Sequence, residues 1–224
     1  MRFAHPSFSI PKVLVSMVDK ATSIWRLRCA WAGIVEAGQI GAGGKPSVIA
    51  TTLEDMGFAT LVTPSGSADL GRATKQMIGL DLPQKGAIAQ SHTHALAWAG
   101  AAQWLLIGRQ RAGFTNLLQE FSNHAAVSDQ SHGRAAMRIS GERVRQVLAK
   151  GSMVDLHPSV FPVGATALTI FAHINVQLWR ADDGPDGPVF EILVPRSMAT
   201  SFWSWFTSSA GEFGCQVLGP IDTS

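Results

Sequence analysis

The stretch "GRAAMRISGERVRQVLAKG", residues 133–151, joins two kinds of pattern. Its first part, "AAMRIS", is a short apolar run typical of a buried strand. After Gly141, apolar residues recur at Val144, Val147 and Leu148, which places them on one face of a helix. Gly151 follows the last apolar turn, where glycine commonly ends a helix. The stretch therefore predicts a strand followed at once by a helix, a unit of a mixed α and β layer.

The residues before this stretch predict the same order of elements. "GFATLVTPSG", residues 57–66, alternates like a strand, and "SADLGRATKQMIG", residues 67–79, follows as a helix that Gly79 can end. "HALAWAGAAQWLLIG", residues 94–108, predicts two strands around a turn with glycine. "QRAGFTNLLQEFSN", residues 110–123, has the apolar spacing of a second helix.

The residues after it complete a second set. "LTIFAHINVQLWRADDGPDGPVFEILVP", residues 168–195, predicts a pair of strands around a turn enlarged by "DDGPDGP". "SMATSFWSWFTSSAG", residues 197–211, predicts the last helix. Local motifs also repeat, since "GLDLP" before "GAIAQ" in the first half is similar to "VDLHP" before "GATAL" in the second half. We therefore predict an internal duplication with a repeat of roughly 75 to 85 residues.

These patterns predict an α+β fold made of two duplicated subdomains. We expect an irregular N-terminal arm over residues 1–55, a first α+β repeat over 56–125, a second over 126–212, and a C-terminal tail over 213–224. The arm is expected because loop-like Gly and Pro stretches such as "GQIGAGGKPS" punctuate it. That stretch fails as a phosphate loop, because Gln39 and Pro46 stand where the motif needs glycine and a hydroxyl.

Composition excludes several functional classes. The chain has 224 residues, of which 18 are basic and 16 are acidic, with a net charge of +2. This near-equal number of charges argues against binding to the phosphate backbone of nucleic acid, which needs clustered basic residues. Two cysteines far apart support neither a disulfide scaffold nor a Cys-based zinc site. No membrane span or leader is visible, so we expect a cytoplasmic protein. The mean hydropathy of +0.15 fits either a large core or an apolar surface that a partner covers.

A cluster of catalytic residue types lies at Asp129, Ser131 and His132. Triad partners are brought together by the fold and are not sequence neighbours. On a strand, Ser131 and His132 would point to opposite faces. We therefore interpret the cluster as a turn at the entry to a strand, in which Asp129 and Ser131 bond local backbone amides, and predict no catalytic residue.

Histidines offer a second hypothesis, a metal site. His92 and His94 would share one face of a strand, as zinc ligands sometimes do. Further ligands would have to come from His124, His132, His157 or His173. No carboxylate or cysteine spacing supports these ligands. We therefore predict no metal site and no cofactor site in this chain.

The last predicted helix carries the aromatic run "FWSWF". Trp203 and Phe206 are three residues apart and share one face, while Phe202 and Trp205 share the neighbouring face. The inner side of this surface would be core, and the outer side is a candidate contact patch because tryptophan is favoured at interfaces. Phe202, Trp203, Trp205 and Phe206 are therefore the predicted interface residues.

Longer motifs resemble a known family. "DQSHGRAAMRISGERVRQVLAKGSMVDLHPSVFPVGATALT" and "FEILVPRSMATSFWSWF" resemble the gamma subunit of heterotetrameric sarcosine oxidase, and "GLDLPQKGAIAQ" and "WLLIG" resemble its first-half motifs. The resemblance covers about residues 57–210. It implies the duplicated fold of the folate-binding domain of aminomethyltransferases, the glycine-cleavage T-protein type.

The resemblance implies an accessory role. Such complexes demethylate sarcosine oxidatively to glycine, and the one-carbon unit leaves as formaldehyde or on tetrahydrofolate. FAD, FMN, NAD and tetrahydrofolate are then expected on the alpha, beta and delta subunits, and none on this chain. The implied function is a non-catalytic gamma-type subunit that supports assembly and stability.

Two departures keep alternatives open. The chain has Gln103 before "WLL", where the family often has an acidic residue, and its N-terminal residues resemble nothing in the family. The first alternative is the equivalent subunit of an N-methylglutamate dehydrogenase. The second is a free-standing folate-binding protein of the aminomethyltransferase type, which a central pocket between the halves with a carboxylate would support.

Overall fold

The computed structural model describes residues 29–63 and 66–219. The strands and helices up to residue 129 are β1 (Gly38–Ile40), β2 (Val48–Leu53), β3 (Gly57–Val62), α1 (Ala68–Ile78), β4 (Ile88–Gln90), β5 (His94–Gly100), β6 (Gln103–Gly108), α2 (Phe114–Phe121) and β7 (Ala126–Asp129). Those that follow are β8 (Arg134–Ser140), α3 (Val144–Ala149), β9 (Thr166–Phe171), β10 (Ile174–Arg180), β11 (Val189–Pro195), α4 (Ala199–Ala210) and β12 (Cys215–Leu218).

The two halves repeat one order of elements, as the sequence predicts. β3, α1, β4, β5, β6, α2 and β7 correspond in turn to β8, α3, β9, β10, β11, α4 and β12. The first set forms a sheet in the order β4-β5-β6-β3-β7, and the second forms the order β9-β10-β11-β8-β2-β12-β1. The sheets therefore match strand for strand, except that the large sheet has β2 between β8 and β12 and β1 at its edge beside β12.

β2 corrects the expectation of an irregular arm. It pairs antiparallel with β8 and parallel with β12, and buries Val48 and Ala50 in the core. The run "VIATTL" is rich in the β-branched residues that suit a strand, but the Gly-rich loop before it obscured this signal. Residues 29–55 thus contribute β1 and β2, and residues 1–28 lie outside the described part of the chain.

Two further expectations differ from the structure. The predicted tail over residues 213–224 contains β12, which β2 holds in the large sheet; residues 220–224 lie outside the described part. Residues 168–195 are predicted to form two strands, and the range contains three, β9, β10 and β11. A tight turn at Ala172 and His173 separates β9 from β10. Both turn residues have positive φ, 45° and 70°, without the Gly or Asn that would have signalled the turn.

The core lies in three layers between the elements. Helices α3 and α4 cover one face of the large sheet, where Val144, Val147 and Leu148 are buried as predicted. Helices α1 and α2 cover the far face of the small sheet. The inner faces of the two sheets pack on each other through side chains such as Phe58 and Trp179. The arrangement is helices, sheet, sheet and helices, an α+β sandwich.

The repeated motif joins the halves directly. Ala87 and Ala165 form an antiparallel bridge, flanked by bonds from the Ile88 amide to the Gly164 carbonyl (2.9 Å) and from the Thr166 amide to the Gly86 carbonyl (2.8 Å). Gly-Ala occurs at corresponding places in "GAIAQ" and "GATAL". The same short segment of each half therefore meets its counterpart, which gives the two halves an approximate two-fold relationship.

Candidate functional site

A cleft lies where the two halves face each other. Its volume is about 520 Å³, within the roughly 300–1,000 Å³ of small-molecule pockets. The first half contributes Gln90, Ser91, His92 and Arg109, and the second contributes Arg138, Ala181, Asp182, Gly184, Val189 and Glu191. Because both halves line it and several lining groups are ionisable, this cleft is the candidate functional site.

Glu191 on β11 is fully buried at the floor of the cleft. Its Oε1 accepts hydrogen bonds from Arg138, from Nε at 3.0 Å and Nη2 at 2.5 Å. Its Oε2 accepts from Nη1 of Arg109 at 2.7 Å and from the indole Nε1 of Trp179 at 2.8 Å. Both carboxylate oxygens are therefore fully engaged within the protein.

Strand register explains most of this arrangement. Glu191 is the cross-strand neighbour of Arg138 on β8 and of Trp179 on β10, so the three side chains share the inner face of the large sheet. Arg109 comes from the other half, just after β6, and its Nη2 donates to Oε1 of Gln90 at 2.8 Å. The carboxylate is thus held by two donors from its own sheet and one from the opposite sheet.

Electrostatics keep Glu191 ionised. Burial alone would raise the pKa of this carboxyl, but the charges of Arg109 and Arg138 and their hydrogen bonds outweigh it and hold the pKa below its ordinary value. A buried charge without partners is costly, and Arg109, Arg138 and Trp179 supply the partners of Glu191. An ionised carboxylate with no free oxygen is suited to holding the halves together, and it cannot act as an acid, a base or a ligand-binding acceptor without breaking these bonds.

The cluster around Glu191 is not among the residues predicted from the sequence. Glu191 lies in "VFEILV", and a single carboxylate inside an apolar strand is a signal of a buried charge that needs partners. The identity of those partners depends on the packing of two sheets, because Arg109 is 82 positions away.

Asp129, Ser131 and His132 lie where a turn precedes β8, as predicted, and Asp129 bonds a local amide, but the Ser131 hydroxyl bonds the distant Phe58 backbone and not a local amide. The Ser131 hydroxyl donates to Oδ1 of Asp129 at 2.5 Å, the Ser131 amide donates to the same oxygen at 2.9 Å, and the Phe58 amide donates to the Ser131 hydroxyl at 3.0 Å. His132 turns away, and its Nε2 accepts from Arg111 at 2.8 Å. Ser131 is therefore not paired with an imidazole, and its bonds attach the turn before β8 to the start of β3.

The charge on Asp129 also serves this turn. Partial burial acts to raise the pKa of its carboxyl, but the two bonds from Ser131 and the nearby charge of Arg111 hold it below the ordinary value. Asp129 therefore stays ionised as an acceptor.

The prediction that His92 and His94 share one strand face is wrong, because His92 lies in the bend between β4 and β5. His92 is exposed at the rim of the cleft, while His94 begins β5 and its Nδ1 lies 2.9 Å from the Thr93 hydroxyl. Burial lowers the pKa of His94. Within residues 29–63 and 66–219, no group of three or more His, Cys, Asp or Glu side chains is placed to hold a metal ion.

The aromatic run on α4 divides into core and surface. Phe202 and Phe206 are fully buried with the rings stacked 6.4 Å apart, so the prediction that they contact a partner is wrong. They face the sheet because their spacing of four follows the inner side of the helix. Trp203 and Trp205 are half-buried and pack on Phe206 and Phe171, both at 5.6 Å. An interface role for the two tryptophans stays a prediction.

Two comparisons with known proteins relate this chain to sarcosine oxidase. A family model, described as the sarcosine oxidase gamma subunit family, matches residues 64–212. Heterotetrameric sarcosine oxidase from Corynebacterium sp. U-96, solved in complex with pyrrole 2-carboxylate, contains a similar chain. The two are 25% identical with a TM-score of 0.69, and the match covers 83% of this chain and 95% of that one.

A more distant likeness concerns the fold alone. The glycine cleavage system aminomethyltransferase T from Bartonella henselae is 12% identical with a TM-score of 0.56. The match covers 79% of this chain and 48% of that protein, so this chain spans about half its length. The likeness confirms the expected aminomethyltransferase-type fold. Among curated proteins none matches the sequence. No helix in the described part of the chain is long and apolar enough to cross a membrane.

Proposed function

The chain belongs to the sarcosine oxidase gamma subunit family, and from this premise we propose that it is a non-catalytic gamma-type subunit of a flavin-dependent sarcosine oxidase complex. Such a complex demethylates sarcosine oxidatively to glycine. The chain contributes assembly and stability, and FAD, FMN, NAD and tetrahydrofolate are carried by alpha, beta and delta partner subunits.

The observation that carries the proposal is the similarity to a chain of a heterotetrameric sarcosine oxidase over 95% of that chain's length. The chemistry of the cleft supports an accessory role. Its buried carboxylate is bound by Arg109, Arg138 and Trp179, so the group best placed to react or bind is committed to the fold. Ser131 is likewise bound to Asp129 and to the Phe58 backbone.

Co-expression with the partner subunits of the same organism tests the proposal. We expect the tagged chain to co-purify with them as one yellow species that oxidises sarcosine, and the partners expressed without it to give less assembled complex. An assay of the same species with N-methylglutamate decides between the two substrates. Full assembly and turnover of the partners in the absence of this chain, with the chain itself remaining free, would overturn the proposal.

A folate-binding protein is the second candidate, because the cleft between the halves contains a carboxylate. The internal bonds of Glu191 oppose it, since a pterin would need an acceptor that is already used. Calorimetric titration of the isolated chain with tetrahydrofolate separates the candidates. No heat at high protein concentration ends the folate hypothesis. Saturable heat that His92→Ala at the cleft rim weakens would favour it.

A further inference from the structure

Three exposed apolar side chains lie together at the β9 edge of the large sheet. Met153 is 81% exposed, Leu168 is 54% exposed and Ile170 is 39% exposed. Ser152 bridges antiparallel to Phe171, so the next residue, Met153, lies across from Ile170. Leu168 and Ile170 are two residues apart on one strand and share a face. We refer to Met153, Leu168 and Ile170 as the β9 patch.

A hollow of about 310 Å³ lies beside the patch. It is lined by three residues of β9 and by residues of β10 and β8: Leu168, Thr169, Ile170, Asn175, Val176, Gln177 and Arg134. The longest polar side chains here are already bonded, since Arg134 donates to Oε1 of Gln130 at 2.9 and 2.6 Å and Gln177 donates to the Trp98 carbonyl at 3.2 Å. The hollow therefore presents apolar surface from Leu168, Ile170 and Val176, and the Arg134 and Gln177 side chains beside it are bonded within the chain.

Bonds within the chain occupy both ends of the β9 edge, where another chain would otherwise add a strand. At one end the Thr166 amide donates to the Gly86 carbonyl at 2.8 Å, and at the other the Ala172 amide donates to the Gly151 carbonyl at 3.3 Å. These bonds use the outward side of the strand, since alternate residues of an antiparallel strand point their backbone groups the same way. The outward backbone groups of Leu168 and Ile170 lie between these two bonds, so a second copy could pair with only a short stretch of β9, which disfavours extension of the sheet through this edge.

The size of the patch also argues against self-association. The three side chains expose on the order of 300 Å² of apolar surface, against roughly 800 Å² per partner in a stable standard-size interface. The patch is thus large enough for an anchoring contact within a wider interface, and too small to hold two copies of the chain by itself. None of the patch residues is charged, so the complementary surface is apolar.

From these observations, and resting on the proposed function, we propose that the β9 patch is a contact site for a different subunit of the complex. A bulky apolar side chain of that subunit fills the hollow beside Leu168 and Ile170. The contact is made by side chains, without strand addition. It is separate from α4, whose phenylalanines are buried.

A matched pair of variants tests the site. Leu168→Glu places a charge in the hollow, and Leu218→Glu makes the same change at an exposed position, 43% accessible, on β12 of the same sheet. Each tagged variant is co-expressed with the partner subunits, checked for the wild-type melting temperature, and titrated with the isolated partners. Leu168→Glu is expected to weaken assembly by about tenfold or more, as for a truncated interface anchor, while Leu218→Glu matches the wild type.

The outcomes separate the two proposals. Failure of the wild-type chain to join the partners would reject the proposed function itself. Wild-type assembly that Leu168→Glu and Ile170→Glu leave unchanged would reject the β9 site and keep the function. If the isolated chain forms a concentration-dependent dimer that Leu168→Glu abolishes, the β9 patch binds a second copy of the chain. That result would reject the proposed contact with a different subunit.

Discussion

Arg109 and Glu191 are separated by 82 positions in the sequence, and the Nη1 of one lies 2.7 Å from the Oε2 of the other. This ion pair joins the two halves, because Arg109 follows the small sheet and Glu191 belongs to the large one. With Arg138 it places two guanidinium groups on one fully buried carboxylate. The stability of the fold should therefore depend strongly on this carboxylate.

Glu191→Gln should destabilise the protein by roughly 3–5 kcal/mol, because it removes the buried charge that pairs with two half-buried arginines. Urea unfolding at neutral pH measures the change in free energy of unfolding. Glu212→Gln is the control, since Glu212 pairs with Lys150 at the surface and should cost at most about 1 kcal/mol. Equal effects of the two substitutions would contradict the assignment.

The contribution of Glu191 should vanish in acid. Its pKa in the folded protein lies below the ordinary 4.5, so the folded state binds the proton less readily than the unfolded state. The stabilisation is complete above about pH 4.5 and is lost as the pH falls through the lower folded pKa. The difference between wild type and Glu191→Gln in urea unfolding should thus shrink below pH 4.5. A difference in free energy of unfolding that stays constant down to pH 3 would contradict this expectation.

Ser131→Ala should leave turnover of the assembled complex nearly unchanged. It should cost roughly 1–3 kcal/mol of stability, because the buried Phe58 amide loses its acceptor. Sarcosine-dependent turnover and thermal unfolding together check both parts. His132→Ala, which alters an exposed side chain, should affect neither. Loss of turnover in both variants with assembly intact would restore the catalytic interpretation.

Both thiols should react slowly. Burial is the largest cause that raises the pKa of Cys29 and of Cys215 to about 11, from an ordinary 9.0. Since the thiolate is the reactive form, alkylation by iodoacetamide at pH 8 should be about a hundredfold slower than for an exposed thiol. Mass spectrometry over time, with unfolded protein as the reference, measures the rates. Labelling of Cys215 at the unfolded rate would mean that β12 opens readily.

Phe202→Ala should cost roughly 3–5 kcal/mol, because it empties a fully buried site between α4 and the sheet. Trp203→Ala, at a half-buried position one residue on, should cost less and should instead weaken assembly if this side of α4 contacts a partner. Thermal unfolding and co-purification give the two readouts. A larger stability loss for Trp203→Ala would reverse the assignment of inner and outer faces.

Local pattern was enough to predict much of the fold. β8 and α3 follow from the apolar run and the spacing of Val144, Val147 and Leu148, and the left-handed Gly79 ends α1 as expected. The repeated Gly-Ala motifs were enough to indicate the duplication. These features depend on residues near one another in the sequence, where propensity and periodicity act.

What could not be predicted depends on packing between distant segments. β2 has the β-branched residues of a strand, but its place between β8 and β12 depends on packing that the local pattern does not show. The cluster around Glu191 requires three strands in register and a second sheet above them. The turn at Ala172 and His173 has no glycine, so the hairpin it closes follows from the long β9–β10 pairing and not from turn chemistry.

The bridge between Ala87 and Ala165 has a consequence for the history of the chain. Two equivalent segments that pair with each other form the kind of isologous contact that two identical half-length chains would make. The protein is in this sense a covalently fused dimer. Features that break the symmetry, such as the insertion of β2 into one sheet only, became possible once the two copies could vary independently.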